Sequence, residues 1–575
     1  MQEGLKLAPY GEPSFVKLRG SDCAYVDKTS FIQTLEQCGT RFPFIVRPRR
    51  FGKSVFVNML AVYYDKAAKN DFVKNFSGTW IGKHPTPLAN KYLILQFDFS
   101  GIDGDGKNLE ANFMRCAKGS LRRFVRNYFP ENEELRALLL APTTTSAGLL
   151  TDFFDLVEYY SDDKIYVIVD EYDQFAQNIL SSDIEKFRSL TGKEGFLKAF
   201  YAVIKKYATS VVDRVFITGV TSISLDSMTS GFNITKNKST SPSFAAMFGF
   251  TDGELRALIP QVVNIKKYNH TVDDIFDRMK ILYDGYKFSQ DSEETVFNAS
   301  MCLYYLSEIA ERNKEPATLL DPSFSIDLSK IEGILSFGSK AFVDSVVTNV
   351  LMDKPVGIGA LSGAINLNMA QELTNDDILT ALVFMGFLTF SQDISDHLVC
   401  PNVAVKDLFF KYWFKRIGKT DGLSFPPVEL RTTMKTLELG NIEPFLTFVS
   451  NRLTQCVGSH AHGHLNEMAI QLAVCMAVNT AWNYKVTAEE EAFGAGFTDL
   501  VLRPNARNPK AVGWVIEFKY LKRSETTEEA LDAKIAEAEA QLTRYSRAQN
   551  IANIPNLRRA AVVFSGTALK GLKVF

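Results

Sequence analysis

FPFIV at residues 42–46, followed by RPRRFGKS at 47–54 opening a helix, is the stretch whose reading decides the fold. A wholly apolar run of strand length suits a parallel strand covered on both faces, because no side faces water and no alternation is needed. The pattern recurs in YLILQF at 92–97, IYVIV at 165–169 and VFITGV from 215, with helical stretches between. Residues 1–249 therefore predict a parallel α/β sheet domain.

The turn out of the first strand carries chemistry. Gly52-Lys53-Ser54 at a helix start would place backbone N–H groups around a polyphosphate, with Lys53 on the β/γ-phosphates and the Ser54 hydroxyl on Mg²⁺. The motif departs from GxxxxGK[ST] at its first position, where Arg47 replaces glycine, and a helix start with a solvated lysine is the plainer reading. Arg49 and Arg50 are placed to contact phosphate or nucleic acid, or to pair on the surface. KIYVIVDE at 164–171 is an apolar strand ending in two carboxylates, at the edge where α/β sheets bind ligands. Asp170 would hold Mg²⁺ through water and Glu171 would polarise the attacking water, against the alternative of two acids capping a strand in solvent. Thr218, ending the next strand, is expected either to sense the γ-phosphate or to be a buried threonine.

Composition bounds the rest. A chain of 575 residues exceeds one core, and 46% hydrophobic with 23% charged residues is ordinary globular content, which excludes global disorder. Net charge of −2 excludes a histone-like binder, so nucleic-acid contact must come from a local patch. The seven cysteines are scattered without a CxxC pair, unlike a disulfide framework or a cysteine zinc site. MQEGLKLAPYGEP at 1–13 lacks a signal-peptide layout, and the longest apolar run, 381–390, is too short to span a bilayer. The expectation is a cytoplasmic protein with no membrane partner. From 250 to 430 the texture is helical, and DDILTALVFMG, FLTFS, HLVC and PNVAVKDLFFKYWFK give the helix, strand, strand, helix order of a winged-helix-like unit. A hairpin packed on helices explains that order equally well.

After Phe425-Pro426-Pro427 the chain returns to mixed α/β, and residues 431–575 are expected to form a third domain. Asp499 lies on one predicted strand (497–502), and Glu517 and Lys519 share a face of the next (513–521), since side chains alternate with period two. Two carboxylates and a lysine are the minimum set for metal-assisted phosphodiester hydrolysis: the acids hold Mg²⁺ and the lysine positions water and offsets charge. E-x-K alone is also a common exposed charge pair. Glu467, on a preceding helix, matches the position of an extra acidic metal ligand. Gln541 and Tyr545 on the following helix resemble the Q-x-x-x-Y element of RecB-like nucleases. Residues 500–575 hold thirteen basic and seven acidic side chains, a surplus suited to a phosphate backbone or to an ordinary solvated surface. His460, His462 and His464 form an HxHxH run that is either a metal site or an exposed loop.

Tyr25-Val-Asp27-Lys28-Thr29, RPRRFGKS, IVDEYD, ITGVTSISLDSMTSGFN and YDGYKFS resemble, in order along nearly the whole chain, prokaryotic AAA-ATPase-like proteins with a C-terminal PD-(D/E)XK nuclease-superfamily domain. In that family the first P-loop glycine is commonly arginine, as Arg47 is here. The resemblance implies ATP or GTP on Gly52, Lys53 and Ser54. The whole reads as an α/β multidomain protein: a P-loop NTPase sheet, a helical middle region relaying nucleotide state, and a Mg²⁺-dependent nuclease-like domain acting on DNA or RNA. The alternative is a signalling or scaffold ATPase whose nuclease-like domain only binds nucleic acid or a partner; a third reading makes bound ATP a structural clasp. Oligomeric state is left open.

Overall fold

The four apolar runs become parallel strands β1 (Pro43–Val46), β2 (Leu93–Asp98), β3 (Ile165–Asp170) and β4 (Val212–Gly219) in a computed structural model of the chain. The structure describes residues 4–102, 109–142, 145–173, 195–221, 233–268, 270–316, 318, 321, 325–359, 361, 373–418, 423, 425–456, 466–481, 484–505 and 508–575. A short strand β5 (Lys236–Asn237) pairs in parallel with β1, and the sheet order is β2-β3-β4-β1-β5. Every residue of β1 and β3 is buried, which is why neither run alternates. Helix Lys53–Tyr64 packs across β2 and β3, so the loop that starts it and the acids that end β3 share the C-terminal edge of the sheet.

The chain divides into two compact units. The first comprises Met1–Ser323, Ser329–Ser339 and Gly357–Pro401, and the second Phe324–Leu328, Lys340–Val356 and Asn402–Phe575. The stretch 250–430 is thus shared between them. Its helices Asp252–Val262 and Val272–Tyr283 begin at capping boxes on Thr251 and Thr271, and Ala299–Arg312 begins where the Asn298 side chain accepts from the Met301 N–H.

The winged-helix-like order is present as Asn375–Phe384, an antiparallel pair of Thr389–Phe390 with His397–Val399, and Val403–Gly418. It is not one self-contained module. The hairpin is tied into the first unit, where Thr389 Oγ1 accepts from the Lys287 N–H at 2.7 Å, whereas the closing helix belongs to the second unit.

In the second unit a five-stranded sheet runs Tyr484–Ala492, Gly496–Pro504, Trp514–Leu521, Arg558–Ser565, Ala568–Val574, neighbours in space as in sequence. Only Trp514–Leu521 and Arg558–Ser565 are parallel, joined by a crossover through helix Glu528–Tyr545. Helix Glu467–Ala481 is buried without a break over residues 469–478, so it is a core helix covered on every side, with Gln471 its one polar side chain in that stretch, donating to the Asp499 carbonyl. Among the described residues no helix is long and apolar enough to cross a membrane.

Candidate functional site

The loop from Arg47 to Ser54 leaves β1 with two left-handed residues, Arg50 at φ 69° and Gly52 at φ 91°. An added Cβ at Gly52 would meet nothing within 4 Å, so glycine is favoured there by its dihedral and not by space. Such turns aim successive N–H groups at one centre, an anion nest at a helix start. Lys53 is only 4% exposed; its Nζ donates to the carbonyls of Arg47 (3.1 Å) and Pro48 (3.0 Å) and lies 3.8 Å from Glu171 Oε1. The ammonium is thereby held over the nest by the loop's own carbonyls.

Opposite it, Ser54 hydrogen-bonds Asp170, whose carboxyl is pushed up to about 6 by burial and then by the Glu171 charge. Glu171 has a left-handed φ of 50°, and its Oε2 is buried with no hydrogen-bond partner. Strain and an unsatisfied oxygen at one residue mark a position held for a ligand's sake. A cation between Ser54 and Asp170 suits the chemistry of this donor set, because it would offset the repulsion between the two acids. Asp98 ends β2 in register with Asp170 and adds a third negative charge to this edge. The sequence reading passed it over, although LILQFD repeats the apolar-run-then-acid signal of β3.

A cavity of about 330 Å³ extends from Gly52, Lys53 and Glu171 to Tyr25, Phe248 and Leu258. Its walls come from the chain ahead of β1 and from the segment after β5, and they are mostly apolar, as a nucleoside site requires. These wall residues were not legible as a site, because apolar side chains in a sequence look the same whether they line a core or a cleft.

Arg47 is corrected as a nucleotide contact, Thr218 takes the second of its two expected roles, and Asp173 is part of the sheet's framework. Arg47 points away from the nest: it is buried, donates to the carbonyls of Val46, Ser239 and Phe244 at 2.7–2.8 Å, and stacks 4.3 Å from the Phe288 ring. It fastens the base of the loop, and burial lowers its guanidinium to about 9. Thr218 Oγ1 donates to the Ile45 carbonyl at 2.7 Å across the strand pair, so its hydroxyl is not presented to a γ-phosphate. Asp173, the next acid along, is fully buried and accepts from the N–H groups of Val220 (3.0 Å) and Thr221 (2.7 Å) and from the Thr221 hydroxyl (2.6 Å). It latches β3 to β4. Of the remaining arginines, Arg50 lines the cavity, and the Arg49 carbonyl accepts from the Asn298 amide at 3.4 Å.

In the second unit Leu500 pairs with Ile516, which sets Asp499 level with Glu517. Asp499 Oδ2 accepts from the Phe518 N–H at 2.6 Å, and Lys519 Nζ donates to Glu517 Oε1 at 2.9 Å. Glu517 is 2% exposed and Lys519 6%. Burial, then the Asp499 charge, raises Glu517 to about 7. For Lys519 burial pulls down, but Glu517, Glu467 and Asp499 together outweigh it and hold the ammonium above its ordinary value. Glu517 Oε2 is buried without a partner, as is Gln541 Oε1. Tyr545 is raised by burial and then by the Glu517 charge, against the pull of its side-chain hydrogen bond with Arg544. An orphaned buried oxygen beside a second carboxylate fits a divalent cation, which would replace the missing hydrogen bond with a ligand bond.

Glu467 stands beside the lysine. Its carboxylate accepts from the Tyr520 N–H and is raised by burial, against the pull of the Lys519 charge. Among the described residues no group of three or more His, Cys, Asp or Glu side chains is gathered as a metal cage. His460, His462 and His464 lie outside the described residues.

Residues 9–229 match the family model described as predicted AAA-ATPase, and residues 465–572 match the PD-(D/E)XK nuclease superfamily. The chain therefore carries an AAA-ATPase-like segment followed by a PD-(D/E)XK nuclease-superfamily segment. It is similar to an uncharacterized protein in the vnfD 5′ region of Azotobacter chroococcum mcd 1, at 25% identity over 334 residues, 56% of each chain. The chain thus spans about half the length of that curated relative. Among solved structures it is similar to a Walker-type ATPase of Pyrococcus abyssi, with a TM-score of 0.36 and 10% identity, covering 66% of this chain and 94% of that one.

Proposed function

We propose that the chain binds and hydrolyses ATP at the Gly52-Lys53-Ser54 loop and cleaves nucleic-acid phosphodiesters at Asp499, Glu517 and Lys519. The observation that carries the second half is the buried Glu517–Lys519 pair with its unpartnered Glu517 oxygen beside Asp499. A surface charge pair has no reason to be buried, since exposed water would satisfy both ions at lower cost. Mg²⁺ bound at each centre would act as a Lewis acid on phosphate oxygens. The protein's own groups supply the rest. Glu517 and Glu467 keep Lys519 protonated, so its ammonium opposes charge developing on the phosphate. Lys53 faces the β/γ-phosphates, and Glu171 accepts the proton of the attacking water.

The test is degradation of supercoiled plasmid and of circular single-stranded DNA by the full chain with Mg²⁺, with and without ATP. Wild type should cleave, Lys519→Ala should not, and Lys53→Ala should fail to bind ATP while its folding signature is kept. A wild type inert toward both substrates, in Mg²⁺ or Mn²⁺, would leave the binding or scaffold role in place of the nuclease. Equal ATP affinity in wild type and Lys53→Ala would remove the nucleotide assignment.

A further inference from the structure

Two large aromatic side chains stand in water on the turn that leads to Asp499. Phe493 is 68% exposed and Phe497 is 61% exposed, whereas most of the chain's phenylalanines for which burial is described are inside. They flank the glycine turn Gly494-Ala495-Gly496 that joins strand Tyr484–Ala492 to strand Gly496–Pro504. The turn is anchored: the Ala495 N–H donates to the Ala492 carbonyl at 2.7 Å, and Ala492 is fully buried. The rings are therefore displayed from a hydrogen-bonded turn on a buried base, outside the core. Exposing two such rings forgoes the burial of well over a hundred Å² of apolar surface each, which a hairpin with no partner has no reason to do.

What surrounds the turn says what the partner is. Phe497 precedes Asp499 by two residues, about 7 Å along a strand, so anything lying on the ring reaches the carboxylate centre. A Cβ at Gly496 would come 3.3 Å from the Tyr545 ring and 3.6 Å from the Arg544 guanidinium. Arg544 itself is exposed and lies 5.3 Å from the Tyr545 ring centroid, and exposed Arg547 follows one turn later. Glu491, directly across from Phe497 and exposed, repels a phosphate from the hairpin itself. The arrangement is aromatic faces beside cations, next to a phosphodiester-cleaving set. That is the pattern by which proteins hold unpaired bases, stacking the base and pairing the backbone with arginine. A base within a duplex has no free face to offer such a ring.

We propose that Phe493 and Phe497 form a stacking platform for unpaired bases, with Arg544 on the adjoining phosphate, and that the substrate of the Asp499–Glu517–Lys519 centre is single-stranded nucleic acid or an unpaired end. This rests on the nuclease reading above. The test uses the full chain, in Ca²⁺ to block turnover, with a fluorescein-labelled 20-mer of oligo-dT and a blunt 20-base-pair duplex as probes. Wild type should bind the single strand more tightly than the duplex. The Phe493→Ala/Phe497→Ala double variant, changed only at exposed positions, should lose roughly tenfold or more in single-strand affinity with the duplex affinity unchanged. Its cleavage of single-stranded DNA in Mg²⁺ should fall mainly through KM, and Phe497→Trp should restore binding. Retained single-strand affinity and cleavage in the double variant would overturn the platform while leaving the nuclease reading intact. Absence of binding and cleavage in wild type would overturn both. A wild-type dimer that becomes monomeric in the double variant without loss of DNA binding would overturn the proposal and assign the hairpin to self-association.

Discussion

Glu171 and Glu517 share one device: a carboxylate with one oxygen near a lysine and the other buried without a partner. Glu171→Gln keeps the shape but cannot accept a proton, so ATP should remain bound within a few-fold while turnover falls by roughly 10²–10⁴. Parallel measurements of nucleotide affinity and phosphate release check this, and unchanged turnover would move water activation elsewhere. For Glu517 the pH dependence has a definite sign. Its folded value is about 7 against an ordinary 4.5, so between those limits the folded state binds this proton more tightly than the unfolded chain. Stability from this group is therefore present at low pH and lost as pH rises from about 4.5 to about 7. In metal-free buffer the melting temperature of wild type should fall more across that window than that of Glu517→Gln. Mn²⁺ must displace the same proton, so wild-type Mn²⁺ affinity should rise up to about pH 7 and then level, while Glu517→Gln binds weakly throughout. Parallel melting curves for the two proteins would show that Glu517 does not titrate in this range.

At the scale of elements, the Asp173 latch ties the C-terminal ends of β3 and β4 together. A Cβ on Gly219 would stand 2.3 Å from Asp173 Oδ1, so β4 can approach the acid only because residue 219 is glycine. Asp173→Asn keeps one acceptor where three donors converge, and its amide hydrogens would face the N–H groups of Val220 and Thr221. The expected cost is roughly 2–4 kcal/mol of unfolding free energy in the first unit, measurable by urea titration, with Glu171→Gln as a neighbour lacking that cost. Elements of this kind were legible to different degrees. The helical texture after residue 250 was legible, and helices Val272–Tyr283 and Ala299–Arg312 begin at Thr271 and Asn298, whose side chains cap them. The β3 run and Asp170-Glu171 were legible because uninterrupted burial leaves no polar residue until the edge. Strand Tyr484–Ala492 was not, since three successive glutamates break its alternation, and neither was Ala568–Val574, whose short run follows directly on a turn. Arg47 stands beside the phosphate loop by motif position alone, and Thr218 is open in the sequence between a γ-phosphate sensor and a buried threonine. Sequence spacing fixes where a side chain starts, and tertiary partners such as the Phe244 and Ile45 carbonyls decide where it ends.

For the whole molecule, the fragment 431–575 read from the sequence as a domain omits part of the second unit. That unit also contains Lys340–Val356 and everything from Asn402, so the chain passes between units more than once and no single cut separates them cleanly. Helix Val403–Gly418 packs on helix Glu467–Ala481 and on helix Lys340–Leu351, and Lys406 within it pairs with Asp353. Helix Glu467–Ala481 is covered on every side, so removing a helix that covers it leaves an uncovered stripe on the element that carries Glu467. The 431–575 fragment should therefore aggregate or bind ANS and melt without a cooperative transition. The 340–575 fragment restores both covering helices and should fold, titrate Mn²⁺ and lose that titration in Asp499→Asn. A 431–575 fragment that melts cooperatively and binds Mn²⁺ as tightly as 340–575 would show that the strands and the two helices packed on them suffice, and that residues 340–430 serve the first unit alone.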